Sequence, residues 1–194
     1  MKDGEKITDD FTLFFIESLK HLKSIFEKRN IDYAILGGLA AGAWGRSRAT
    51  DDIDLVVFIS EKDLEEIVRN LKDNGFEIRF LGPSKPPDLI QVTKKRRGII
   101  IRIDLMLAHI PYQEETLKRK VWLKIFNIEV PVISPEDLIV HKLIANRPID
   151  IQDVENVFQY NFKNLNLTYL KKWAKEWDIE PRLNAFIKKY SNIA

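Results

Sequence analysis

A mixed α+β fold, with a mixed sheet flanked by helices and a helical C-terminal subdomain, is predicted for this 194-residue sequence by three observations. Between Ile31 and Ile133, short runs rich in Ile, Val, Phe and Leu alternate with stretches of helical period. One of those runs, Ile99 to Leu107, is apolar on both faces, as expected of a central strand. Beyond Ser134 only helical patterns remain. These place a core at 1–130 and a helical subdomain at 131–194, divided by a change of class and not by a flexible linker.

In order, Asp9-Asp10 caps a helix to about Asn30, whose apolar stripe is Phe11, Phe15, Leu19, Leu22 and Phe26. Ile31 to Leu36 reads as a short buried strand, Gly37-Gly38 as a turn, and Leu39 to Trp44 as a helix small enough to lie close to the sheet. A strand then runs through Asp52 and Asp54 to about Ile59. Ser60-Glu61-Lys62-Asp63 resembles a capping box opening a helix to Asp73. Phe76 to Leu81 is a strand, and the prolines of Gly82 to Pro87 make a loop. Asp88 to Thr93 and Gly98 to Leu107 form a hairpin tipped by Lys94-Lys95-Arg96-Arg97. A helix from Pro111 and a hairpin over Asn127 follow. Ser134-Pro135 then caps the first of four helices, at about 135–145, 150–160, 168–177 and 181–190.

Composition limits the function. With 45% hydrophobic and 31% charged residues the chain is globular, and without cysteine it has no thiol catalysis, disulfide or cysteine zinc site. No apolar run approaches a membrane span or a signal-peptide core, so no membrane partner and a cytoplasmic location are expected. A net charge of +2 is too small to imply a nucleic-acid partner by itself.

Local chemistry is more informative. Side chains alternate faces along a strand, so Asp52 and Asp54 point the same way, roughly 6.6 Å apart at Cα. Asp104 supplies a third acid on a second strand, and unpaired charge there is costly unless it binds an ion or pairs with Arg102. Magnesium favours a few carboxylates plus substrate phosphates. Two Mg2+ ions, with Mn2+ as a substitute, would be held by Asp52, Asp54 and Asp104, and Asp104 is the natural general base. Gly37-Gly38 would let phosphates approach backbone N–H groups at a helix start. Lys142 falls inside the apolar arc of its helix, where it serves as a phosphate ligand or as a snorkelling edge residue.

The pattern Gly37-Gly38, thirteen residues, Asp52-Ile53-Asp54 and a distal strand acid at Asp104 resembles the DNA polymerase beta-type nucleotidyltransferase superfamily. Arg46 to Asp54, with the string Pro135 to Val154, more closely resembles its small prokaryotic branch of abortive-infection toxins from type IV toxin–antitoxin systems. In that branch a lysine precedes an Arg-x-x-Asp-x-x-Asp pattern, matched here by Lys142, Arg147, Asp150 and Asp153, while Ile149 departs from the usual basic residue.

The resemblance implies transfer of NMP from an NTP to an acceptor hydroxyl on tRNA, a protein or a small molecule, with pyrophosphate leaving and an antitoxin as partner. It implies nucleotide contacts at Gly37, Gly38, Arg46, Arg48, Lys142 and Asp150. The alternative class is a non-catalytic nucleotide- or partner-binding protein that retains the fold. Asp150 and Asp153 also read as helix caps, His21, His109 and His141 as structural or solvent-facing, and Tyr169, Leu170, Trp173 and Trp177 as a core stripe.

Overall fold

The computed structural model describes residues 2–83 and 85–192. Its elements are α1 (Lys2–Glu27), β1 (Asp32–Ile35), α2 (Gly37–Trp44), β2 (Asp52–Phe58), α3 (Glu61–Asp73), β3 (Phe76–Leu81), β4 (Leu89–Arg96), β5 (Ile99–Leu107), α4 (Pro111–Lys118), β6 (Val121–Ile125), β7 (Ile128–Val132), α5 (Pro135–Ala145), α6 (Pro148–Asn161), α7 (Leu167–Glu176) and α8 (Glu180–Ser191). The seven strands form one mixed sheet in the order β3-β4-β5-β2-β1-β7-β6. β2 runs parallel to β5 and antiparallel to β1, so the acid-bearing strands are neighbours near the middle of the sheet. The mixed α/β class follows directly from alternating strand and helix periods in the sequence.

The core is built by parity. Ile101, Ile103, Leu105 and Leu107 of β5 are buried, as are Ile53, Leu55 and Val57 of β2 and Ile90 and Val92 of β4. Against this sheet α1 contributes Phe14, Phe15, Leu19, Leu22 and Phe26, and α3 contributes Ile67 and Leu71. The alternate residues of β5 behave differently. Ile100 is 48% exposed and Arg102 is exposed, while Asp104 and Met106 are half-buried. β5 is interior in the sheet but not apolar on both faces: the face bearing Asp104 is partly open.

Three local expectations change. α1 starts at Lys2, about two turns before the expected cap, and places Asp10 inside the helix; the side chain of Asp9 lies outside the described residues. Ser60 occupies the N-cap of α3, but its hydroxyl donates to the Asp63 carboxylate and accepts no backbone N–H. β4 continues through Arg96, leaving Arg97-Gly98 as the tip, both at positive φ. The basic residues are therefore strand residues with partners: Lys94 with His21, Lys95 with Glu77 and Arg96 with Glu17. Ser84, within the proline loop, is outside the described residues.

The C-terminal helices match the predicted pattern. Ser134 Oγ accepts from Asp137 N at 3.1 Å as the α5 cap, and Leu170 and Trp173 are buried as a core stripe, although Trp177 is 37% exposed. No described helix is long and apolar enough to cross a membrane.

Candidate active site

The acids sit where strand parity puts them. In the parallel register Asp54 pairs with Asp104 and Asp52 with Arg102, so the three carboxylates share the open face. Arg102 instead donates to Asp51 at 2.6 Å, which leaves Asp104 without the charge partner that its neighbour could have been. Among the described residues Asp104 accepts one bond, a neutral one from Gln91 Nε2 at 3.2 Å across β4. Asp52 accepts from Thr50 Oγ1 at 2.6 Å.

Burial pushes the Asp54 carboxyl up to about 6, and the nearby charges of Asp52 and Asp104 push the same way against Lys142 and Arg147. Such a carboxylate gains most from a cation. Among the described residues no three such side chains close around a common metal position. The fit to a divalent cation therefore rests on the repulsion within this oxygen-only donor set, with substrate phosphates left to complete the shell.

Gly37 is required by contact and conformation together. Leu36 N donates to Asp54 O at 2.9 Å, drawing the end of β1 against β2. At Gly37, φ is +64°, and an added Cβ would stand 1.8 Å from Asp54 Oδ2. A Cβ at Gly38 would stand 2.7 Å from Thr50 Oγ1. The N-cap Leu36 offers no side-chain acceptor, so the first N–H groups of α2 begin beside the acids without a capping oxygen. Gly37→Ala is expected to cost at least about 1–2 kcal/mol from backbone conformation alone and to displace Asp54; urea unfolding and NTP binding would register both.

Behind the acids lies a chain of alternating charge. Arg48 Nε and Nη2 each donate at 3.0 Å to Asp153. Lys142 Nζ stands 2.8 Å from Asp153 Oδ2 and 2.9 Å from Asp150 Oδ1. Arg147 Nε donates to Asp150 Oδ2 at 2.6 Å. Asp150, Asp153 and Lys142 are almost wholly buried, whereas the Arg147 side chain is 68% exposed.

Lys142 therefore neither snorkels nor stands free: two carboxylates hold it, and its charge reaches Asp54. α6 starts at Pro148, two residues before the expected helix, so Asp150 is not its N-cap but its third residue: it accepts from the N-cap Arg147 N at 3.2 Å and also binds Lys142. Burial pushes its carboxyl up, and the hydrogen bonds from Arg147 and Lys142 outweigh this and hold it down at about 2. Asp153 is no cap; it joins Arg48 to Lys142. Arg46 is exposed and makes no ion pair among the described residues.

Sequence reasoning assigned no role to Thr50 or Gln91, and named Arg147 only as part of the motif, not as a nucleotide contact. Thr50 lies two residues before Asp52, a spacing visible in the sequence, whereas Gln91 is found only from strand register. Of the histidines, His21 bonds Asn74, His109 bonds Pro87 O and His141 is half-buried with its Nε2 enclosed, and burial lowers its pKa to about 4.

Comparison with known proteins gives the same fold. The antibiotic-resistance factor ANT(2'')-Ia superposes with a TM-score of 0.55 at 18% identity, over 95% of this chain and 98% of that one. The lincosamide antibiotic adenylyltransferase LnuA, solved with lincomycin bound, gives 0.53 at 15% identity over 73% and 94%. An antigenic nucleotidyltransferase-like protein from Paracoccidioides brasiliensis gives 0.51 at 20% over 92% and 91%. No curated protein sequence matches the chain. The family model described as "Nucleotidyltransferase of unknown function (DUF6036)" matches residues 13–193, so this chain belongs to that nucleotidyltransferase family.

Proposed function

We propose that this enzyme catalyses Mg2+-dependent transfer of NMP from an NTP to an acceptor hydroxyl, with Asp52, Asp54 and Asp104 as its catalytic carboxylates. The observation that carries the reading is the Asp54 carboxyl, raised to about 6 beside Asp52 and Asp104 at the uncapped start of α2. Mg2+, as two ions or Mn2+ in their place, would be held by the three aspartates and would supply neutralisation of the developing phosphate charge.

The chain's own residues do the rest. Gly37 and Gly38 offer backbone N–H groups to the β- and γ-phosphates. Arg147 presents an exposed cation whose charge bears on Asp54 and Asp52, and Arg46 is free to reach the triphosphate. Arg48, Lys142 and Asp150 contribute to nucleotide binding through the charge network, which fixes Arg147 and the 46–50 loop. Asp104, held by Gln91, accepts the acceptor hydroxyl proton. The hydroxyl oxygen forms a bond to the α-phosphorus, the bond from that phosphorus to the β-phosphate oxygen breaks, and pyrophosphate leaves with the electron pair.

The open face of β3, β4 and β5 beside Asp104 gives the acceptor room, whether it is tRNA, a protein hydroxyl or a small molecule. A toxin-like role with a cognate antitoxin, and a cytoplasmic location, belong to this reading on the resemblance of the Arg46–Asp54 and Pro135–Val154 strings.

The test is transfer of label from α- or γ-labelled NTPs to total RNA, lysate protein and a small-molecule extract, with Mg2+ or EDTA. Transfer of α-label alone, abolished by EDTA, is expected. Asp104→Asn is expected to lose about 100-fold or more of transfer while NTP binding and the melting temperature hold. Label from the γ position alone would overturn the mechanism.

A further inference from the structure

A cavity of about 580 Å3 lies between α1, α2, the 47–50 loop and the β6–β7 hairpin. This volume falls in the range of small-molecule sites. Its wall is mainly apolar and carries Phe11, Phe15 and Phe126, with Gly42 of α2 and the hydroxyl residues Ser47 and Thr50 also on it. Among the described residues the lining carries no carboxylate; its charged groups are Arg48 and Lys124. Arg48 is neutralised by Asp153, whereas Lys124 is exposed and makes no ion pair among the described residues.

Polarity therefore favours a planar apolar body carrying an anionic group and disfavours a polycation. The cavity is also distinct from the acceptor's place. Asp104 stands on β5, across β2 from β1 and α2, whereas the hairpin wall lies at the other end of the sheet.

Three lining residues face both ways, and the first is Gly38, which opens α2 beside the acids. Thr50 holds Asp52, and Arg48 holds Asp153. We propose that this cavity binds a small anionic molecule with a planar apolar body, and that its occupancy is coupled to NTP binding through Thr50 and Arg48. The coupling half rests on the nucleotidyl-transfer reading given above; the binding half stands apart from it.

The test uses the full chain and two fluorescent probes, anilinonaphthalene sulfonate and its uncharged relative phenylnaphthylamine. Gly42 lines the cavity and a Cβ there would meet only ordinary contacts, 3.6 Å to Ser47 Cα, so Gly42→Leu is the substitution chosen to obstruct it. Gly42→Leu is expected to weaken both probes about tenfold or more, with an unchanged circular dichroism spectrum. Lys124→Glu is expected to weaken the sulfonate about threefold and leave the neutral probe unchanged.

Each of the four NTPs is then titrated with Mg2+. A saturable shift of NTP affinity by the sulfonate, with the same factor seen in reverse, supports the coupling. Probe binding indifferent to Gly42→Leu, full competitive displacement by NTP, or NTP affinity unmoved by saturating probe would each overturn the proposal. Failure of every NTP to bind would instead strike the nucleotidyl-transfer reading, with the cavity still judged by the probe series.

Discussion

Replacing Asp54 with asparagine is expected to make the protein more stable and, in the proposed mechanism, inactive. The side chain is mostly buried beside two like charges, and its carboxyl is raised to about 6. A raised carboxyl pKa means that the folded state retains a proton which the unfolded chain releases. Stability from this group is thus greatest at low pH and declines as pH rises from the ordinary carboxylate range through about 6. Asparagine keeps the shape and removes the repulsion. At pH 7.5 in EDTA, Asp54→Asn should gain roughly 1–3 kcal/mol, or roughly 2–12 °C in melting temperature. The gain should fade as pH falls below about 6. Added Mg2+ should narrow it too, by stabilising only the wild type. Melting curves across pH, with and without EDTA, would check this; an equal or lower melting temperature at pH 7.5 would mean that Asp54 is not held against its neighbours' charge.

The opposite result is expected at Lys142. Its ammonium holds Asp150 and Asp153 together, and both carboxylates are almost fully buried. Lys142→Met fills similar volume but leaves two acids with arginines alone to satisfy them. Removing one partner of a buried ionic group costs about 3–5 kcal/mol, equivalent to a melting-temperature loss of roughly 6–20 °C. Asp150→Asn in the same chain should recover part of that loss, because one uncompensated charge disappears with it. The Asp150 contribution has the reverse pH sign from Asp54: its carboxyl is held down at about 2, so the stability it gives is present above the ordinary carboxylate range and is lost as pH falls through about 2. Thermal melts of the single and double variants would measure the coupling directly.

The parts legible in the sequence are those governed by local period. Asp52 and Asp54 share a face because they are two apart on a strand, and Gly37 marks a backbone position that no side chain could occupy beside Asp54. The Ser134 cap and the Leu170–Trp173 stripe follow from spacings of three, again a local matter.

Less legible was anything needing a partner from elsewhere. Arg48 meets Asp153 across 105 residues of chain, and Gln91 meets Asp104 only because β4 and β5 pair in one register. The open face of β5 was misread for the same reason. Whether Ile100 and Arg102 are covered depends on where the helices dock, which strand period alone does not encode. The basic run at Lys94 to Arg97 resembled a tip because charge is common in turns, but its acids and His21 lie on other elements.

The alternating charges from Arg48 through Asp153, Lys142 and Asp150 to Arg147 also bear on the order in which the chain is made. A ribosome releases the two strands that bear the three aspartates first, and the counter-ions that fix the phosphate-facing loop emerge only with residues 142–153. A nascent chain paused before them carries the carboxylates but lacks the cations that balance them. Competence for transfer is therefore expected to arrive late in synthesis, after α5 and α6 have left the exit tunnel.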